Sequence, residues 1–270
     1  MVLAISSLSV AGVACRMSLL DSVNSNEFFP SSTVVSVNTI GSFVMGLLWG
    51  LNDLINWLPY LYAGLAVGFC GSFTTFSSWM NSVMNDQDPV VQCITGLTIP
   101  FLVFIVGVDL TGSIDVEAIF KDVSPPIAAA IDKGCVSLLS LAAVLTMVTL
   151  SVTDNDSISN GDLISCAIGP IGALTRFALN RLLNDKIKWF MLGTFSANTI
   201  AVVIMGSLIH CTNGDNWCEY SIQGICGSLS SVSAWVLDTV RIYKETKPWA
   251  YFYCLLSVGV GLAIMIPFKQ

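Results

Sequence analysis

Charge is the scarcest thing in this chain. Only 11% of its 270 residues are Asp, Glu, Lys or Arg, under half of the ~25% usual in a soluble domain. With 54% hydrophobic residues, that excludes a soluble enzyme built on one core. Cations are scarcer still: 11 Lys and Arg against 18 Asp and Glu give a net charge of −7. No basic face is available, so nucleic acid is excluded as a partner. One histidine, His210, leaves little room for His-based catalysis, and the chain is not read as an enzyme. The nine cysteines make no C-x-x-C pair and no metal-ligand spacing. Most sit in apolar stretches as small core residues. Cys211 and Cys218 flank a short polar stretch and would bridge it if that loop faces an oxidising compartment. There is no P-loop motif. No Asp or Glu falls in mid-stretch, Asp109 and Asp238 lying near the ends, so the intramembrane carboxylate of proton-coupled transport is missing.

What the chain has in quantity is apolar sequence in runs of about 20 residues, the length that crosses a ~30 Å hydrocarbon core. Nine helices are predicted: 2–20, 33–51, 60–84, 90–110, 134–152, 162–180, 189–210, 220–240 and 249–267. The first is read as retained, since no small-residue cleavage site follows a basic leader. Lys121 and Lys133 follow the fourth helix, Arg181, Lys186 and Lys188 the sixth, and Arg241, Lys244 and Lys247 the eighth. Loops after the first, third, fifth and seventh helices hold no Lys or Arg. By the positive-inside rule the N-terminus is then cytoplasmic and the C-terminus extracellular.

An internal repeat runs through this pattern. Gly12-Val-Ala-Cys-Arg16 returns as Gly172-Ala-Leu-Thr-Arg176, and NTIGSFVMG from Asn38 returns as NTIAVVIMG from Asn198, both 160 residues later. GFCGSFTTFSSW, Gly68 to Trp79, returns as GICGSLSSVSAW, Gly224 to Trp235, 156 residues later. Four helices bring a chain back to its starting side, so direct fusion of two units would leave them parallel. The fifth helix has no repeat partner and inverts the second unit. The expected fold is an all-α membrane protein of nine transmembrane helices. Two inverted four-helix repeats, 1–111 and 161–270, are joined by a linker, 112–160, that carries the fifth helix. Such a fold puts its functional sites near the bilayer midplane.

The repeated segments are unusual for a bilayer. Cys70-Gly-Ser-Phe-Thr-Thr-Phe-Ser-Ser78 carries hydroxyls and a glycine throughout, and Cys226-Gly-Ser-Leu-Ser-Ser-Val-Ser-Ala234 matches it. Gly weakens a helix and hydroxyls compete for its backbone bonds, so a mid-span break is expected. A break survives in a membrane only when buried in protein or lining a cavity. Small-residue packing of the G-x-x-x-G kind explains Gly46–Gly50 and Gly64–Gly68 well and the hydroxyl run poorly. Asn38 and Asn198 either glue helices together or face a polar path. Arg16 and Arg176 either snorkel or, as favoured here, neutralise carbonyl ends at the breaks. Hydroxyls, amides and aromatic edges are donors of partial positive charge, suited to a small anion.

G-x-x-x-R in the first helix, N-x-x-G in the second and Gly71-Ser-Phe-Thr-Thr-Phe-Ser77 in the third resemble the fluoride channel, or fluoride exporter, family in its fused two-domain eukaryotic form. The resemblance covers essentially the whole chain. It implies a monomer acting as a pseudo-dimer in the plasma membrane, with fluoride as the permeating ion. A central structural sodium ion would be held by the carbonyls of Gly71, Thr74, Gly227 and Ser230. The pore asparagines map to Asn38 and Asn198, with the hydroxyls of Ser77, Ser78 and Ser233 along the path. The pore phenylalanines map to Phe76 and Trp79, and to Val232 and Trp235. Each pore takes one aromatic from each half, so Phe76 would join Trp235 while Trp79 faces Val232, which implies two unequal pathways. The hydroxyl track of the last helix maps to Tyr253 and Ser257. Its first-half counterpart has only Thr95 and Thr98 as weak substitutes. An acidic residue after the last pore aromatic is Asp238 in the second half, with Ser82 in its place in the first. The function implied is passive export of cytoplasmic fluoride. The alternative is an alternating-access transporter of another small anion, which would show saturating, stoichiometric flux in place of single-channel currents. A scaffold without transport leaves the hydroxyl run unexplained.

Overall fold

The computed structural model describes residues 1–24, 33–51, 53–152, 160–211 and 216–269, and among these the regular structure is entirely helical. The helices are α1 (Val2–Asn24), α2 (Thr33–Gly50), α3 (59–73), α4 (Phe76–Asn85), α5 (Pro89–Thr111), α6 (Pro125–Val152), α7 (Asn160–Leu183), α8 (Leu192–Ile209), α9 (216–229), α10 (Val232–Glu245) and α11 (Lys247–Met265). One-turn helices at Leu54–Trp57 and Val116–Phe120 join them.

Seven of these helices are long and apolar enough to cross a membrane, against the nine expected. The shortfall has one cause. The expected helix 60–84 is two helices, α3 and α4, separated by extended backbone at Thr74 and Thr75. The expected helix 220–240 is likewise α9 and α10, separated at Ser230 and Ser231. Upstream of each break the turn widens to π geometry, over Gly64–Cys70 and Ile222–Cys226, a loosening frequent at functional sites.

One correction concerns the fifth helix. Predicted to begin at 134, it begins at Pro125, where proline's fixed φ suits the first turn, and so includes Asp132 and Lys133. Asp132 is buried and accepts from the backbone N–H of Tyr60 (2.9 Å) and Leu61 (2.7 Å). Those are unpaired donors of the first turn of α3, so a side chain of α6 caps another helix. Elsewhere α6 is peripheral: 17% of its span is buried, against 50% for α2 and for α8.

The G-x-x-x-R motif has a mechanical reading. α1 packs on α3 and α7 packs on α9. A Cβ on Gly12 would come within 2.6 Å of the Phe69 carbonyl oxygen, and one on Gly172 would collide with that of Ile225. Only glycine lets these backbones close, as at small-residue contacts in membranes generally. The arginine one turn later then reaches the break.

Candidate functional site

At each break a hydroxyl residue starts the next helix. Thr75 Oγ1 accepts from Ser78 N at 3.3 Å, and Ser231 Oγ accepts from Ala234 N at 3.2 Å, the N-cap geometry that Ser and Thr favour. The asparagines act on the same residues. Asn38 Oδ1 accepts Thr75 N at 2.9 Å and Asn198 Oδ1 accepts Ser231 N at 2.8 Å. Both amides also donate back, to the carbonyls of Thr75 and Ser231. Each asparagine therefore replaces the helical partner that its break removes. The N–H groups of Thr75 and Ser231 would otherwise close on the carbonyls of Gly71 and Gly227.

The two breaks interlock. Ser77 N donates to Ser230 Oγ at 3.1 Å, and Ser233 N donates to Thr74 Oγ1 at 3.2 Å. Thr74 Oγ1 also lies 3.0 Å from Ser233 Oγ, and Ser230 Oγ 3.0 Å from Ser77 Oγ. The arginines exchange in the same manner. Arg16 donates to the carbonyls of Ser72 (2.6 Å) and Gln223, and Arg176 to those of Ser228 (3.1 Å) and Val67 (2.9 Å). Ser72 and Ser228, and Val67 and Gln223, are matched positions of the repeat. Residue i of one half meets j of the other while their counterparts meet in return, the pattern of an isologous interface. Both arginines are 1% exposed, so neither snorkels. Each lies where a Cβ on the glycine opposite would overlap its guanidinium, Arg16 at Gly227 and Arg176 at Gly71.

Around this centre lie aromatic rings. Phe76 and Trp235, the pair that the family resemblance implies, meet edge-on with centroids 5.8 Å apart. Trp79 does not stand apart from them, as the pairing of pore aromatics implies. Its ring is 5.6 Å from Phe76 and 5.9 Å from Trp235, and Phe101 of α5 adds a fourth at 5.3 Å from Trp235. Val232 is buried at the start of α10. Tyr253 is fully buried with Phe190 edge-on at 5.1 Å, and Ser257 Oγ is turned onto the Tyr253 carbonyl at 2.7 Å.

Several donors here donate to nothing. Trp235 Nε1, Tyr253 OH and Ser42 Oγ are buried with no hydrogen-bond partner among the described residues, an arrangement that costs free energy unless a ligand uses it. Beside Arg176, a cavity of about 330 Å³ is lined by Asn180, Arg181, Asp238 and Arg241 among others. Asp238 is 3% exposed, takes the Thr194 hydroxyl and lies 3.5 Å from Arg241.

Sequence reading missed Ser42, Thr194 and Gln92. Ser42 stands one helical turn from Asn38, a spacing that would have exposed it. Gln92 is 2% exposed; its Nε2 donates to Ser82 at 2.5 Å, and its backbone carbonyl accepts Trp79 Nε1 at 3.3 Å. Gln92, Gly96, Pro100 and Phe104, all buried in α5, repeat every fourth residue and mark its inner face. Thr95 and Thr98 lie off that face and return their hydroxyls to the carbonyls of Val91 and Ile94.

The donor set suits a hard monovalent cation. Asparagine capping leaves the Gly71 and Gly227 carbonyls without their helical donors, and rings of such oxygens replace an ion's hydration shell. No group of His, Cys, Asp and Glu among the described residues could hold a metal ion.

Fold and site define the class: a multi-pass helical membrane protein with two interrupted helices crossed at a buried polar centre. The chain belongs to the CrcB-like protein, camphor resistance (CrcB), family, whose model matches it twice, over residues 3–113 and 163–267. It is thus a fused form carrying two copies of the unit. It is 24% identical over 300 residues to "Fluoride export protein 1" of Candida albicans, covering 94% of this chain and 75% of that one. With "Fluoride export protein 1" of Neurospora crassa it shares 28% identity over 248 residues, 76% of this chain and 47% of the relative. The chain therefore spans about half the length of the Neurospora protein. "Fluoride-specific ion channel FluC" of Paracoccus denitrificans is 29% identical over 102 residues, 36% of this chain and 82% of that protein. No solved structure matches.

Proposed function

We propose that this chain is a passive fluoride-selective channel of the plasma membrane that lets cytoplasmic fluoride leave the cell. The observation that carries the reading is the pair of buried, unused donors, Trp235 Nε1 and Tyr253 OH. A dehydrated anion in a low-dielectric interior costs tens of kcal/mol by Born solvation, and donors fixed in advance offset that cost. The names of the relatives agree with fluoride as the ion. A negative-inside potential drives an anion outward at ~2.3 kcal/mol per charge per 100 mV.

In this reading the chain makes nine crossings, with α3–α4 and α9–α10 as the interrupted ones, and α6 inverts the second half. The N-terminus is cytoplasmic and the C-terminus extracellular. The reciprocal bonds between the breaks support a two-fold relation of the halves. A structural sodium ion would be held by the carbonyls of Gly71, Thr74, Gly227 and Ser230, offsetting the repulsion between the centre and a passing anion. The cavity beside Arg176 would gather anions on the cytoplasmic side.

The two routes are unequal. Along α5, the Trp79 indole fills the space over Gly96 and binds the Gln92 carbonyl, while Gln92 and Ser82 satisfy each other. Along α11, the Tyr253 hydroxyl is unused and Ser257 lies one turn on. We assign conduction to the α11 side, past Phe76.

The test is fluoride efflux from proteoliposomes followed with an ion-selective electrode, with chloride efflux in parallel. Fluoride should leave and chloride should stay. Equal loss of both, or none of either from vesicles holding folded protein, ends the proposal. Saturating flux with a fixed ion stoichiometry would turn it into the carrier reading.

A further inference from the structure

The ends of α7–α8 and of α10–α11 come together as one basic, aromatic rim. Trp189 and Trp249 stack with centroids 3.9 Å apart and planes 30° from parallel, yet they are 38% and 40% exposed. A stack of two large apolar rings left half open needs an explanation. Four lysines flank it, Lys186 and Lys188 on one connection and Lys244 and Lys247 on the other, all exposed. Lys244 and Lys247 hold their ammonium groups over the rings of Trp49 (5.4 Å) and Tyr243 (5.6 Å). Lys186 and Lys188 form no ion pair among the described residues. Within 184–189 and 243–249 the acidic residues are Asp185 and Glu245, so the rim is net positive. The connection 115–122, assigned above to the same membrane face, has the opposite sign: Asp115, Glu117 and Asp122 surround the lone Lys121.

We infer that this rim binds the headgroup of an anionic glycerophospholipid from the leaflet it faces. The chemistry of the two parts matches one molecule. Indoles settle at headgroup depth, with an apolar face toward the acyl chains and a polar edge toward water. Lysines beside them attract the phosphate and any further negative charge on the headgroup, at a strength that falls within a Debye length. The stacked pair and the four lysines all belong to the second half, with Trp49 of α2 the first half's one contribution. The site lies one residue from the α11 route: Phe190, next to Trp189, packs edge-on against Tyr253, and Trp249 precedes Tyr253 by one helical turn. Lipid seated on the rim therefore braces the wall of that route. Binding stands independently of the channel reading, whereas its effect on flux rests on that reading.

Two measurements separate them. In the first, tryptophan fluorescence of the full chain is quenched by brominated phosphatidylserine or brominated phosphatidylcholine in mixed vesicles. The serine lipid should be preferred. Lys186→Gln with Lys188→Gln should cut that preference by about fivefold per lysine removed, the scale of headgroup attraction. Trp189→Phe with Trp249→Phe should remove the component that distinguishes the two lipids, and Lys121→Gln should leave it unchanged. Equal quenching by both lipids, or a preference that survives loss of both lysines, overturns the proposal. In the second, fluoride efflux is compared in phosphatidylcholine vesicles with and without phosphatidylserine. Faster efflux with the serine lipid in the parent, absent from the lysine variant, supports bracing. Lipid preference without any change in flux confines the proposal to binding, and absence of fluoride flux in every lipid counts against the channel reading alone.

Discussion

Thr74 and Ser230 share nearly the same backbone angles, φ −91° and ψ 150° against φ −92° and ψ 148°. Asn38 and Asn198 hold them by the same bonds, and Arg16 and Arg176 cross between the halves at matched carbonyls. One helix away the likeness ends. α5 presents Gln92 and Gly96 to the centre, whereas α11 presents Tyr253 and Ser257. The start of α3 is held by a carboxylate from α6, and that of α9 by a disulfide, Cys211–Cys218. Shared residues are the ones that make and satisfy a broken helix in a membrane, where an orphan N–H has no water to turn to. The residues that differ, Gln92 and Gly96 against Tyr253 and Ser257, are those that the proposed routes would pass. Two halves can thus keep one scaffold and serve two ends.

The sharpest way to break this comparison is to exchange the demands on its two sides. Removing the Tyr253 hydroxyl by Tyr253→Phe takes one charge-assisted bond from a dehydrated anion, and fluoride flux should fall roughly 10- to 100-fold. Gln92→Leu, on the α5 side, should leave flux within about twofold if conduction runs along α11, because the Gln92 side chain serves Ser82 and its backbone carbonyl, which the substitution keeps, holds Trp79. Proteoliposome efflux measures both. If Gln92→Leu abolishes flux and Tyr253→Phe does not, conduction belongs to the α5 route and the assignment reverses.

A smaller effect tests the shared centre. Arg16→Met and Arg176→Met each strand one buried and one partly buried carbonyl and should each destabilise the protein by about 3 kcal/mol. Thermal unfolding in detergent should show the two losses equal to within about 1 kcal/mol if the halves are matched here. A large inequality would mean that the reciprocal bonds do not carry equal load.

The central architecture was legible in the sequence because it is a property of local chemistry. A run such as Thr74-Thr-Phe-Ser-Ser78 carries its own N-cap, and the repeat offset ties Arg16 to Arg176 and Asn38 to Asn198 before any fold is known. The break expected in the hydroxyl run falls at Thr74 and Thr75, and it shortens the apolar helix on each side, so that neither α3 nor α4 is among the seven helices long enough to span alone. The start of α6 was misplaced because Asp132 and Lys133 read as loop charges. Only the tertiary position of Tyr60 and Leu61 shows that Asp132 is an acceptor inside a helix. Gln92 escaped because an amide near a helix end reads as surface, and its partners, Ser82 and Trp79, come from α4. The ring cluster was half legible: the pairing of Phe76 with Trp235 is what the family resemblance implies, while the approach of Trp79 depends on the missing side chain of Gly96.

The two fastenings give the finest test. Cys211→Ser with Cys218→Ser opens a short loop and should cost about 2–3 kcal/mol on the chain-entropy estimate. Reductant applied to the parent should reproduce that loss and leave the first half untouched. Asp132→Asn keeps one acceptor oxygen but gives up the negative charge at the first turn of α3, and should cost about 1 kcal/mol. Asp132→Ala removes both acceptors, strands the N–H groups of Tyr60 and Leu61, and should cost about twice as much. Hydrogen exchange at those two amides reads the effect directly. Exchange should quicken in Asp132→Asn and more in Asp132→Ala, with no change at the α9 amides in either. Equal exchange in all three proteins would mean that α6 lies against the first half without holding it, and that the carboxylate and the disulfide are not two forms of one device.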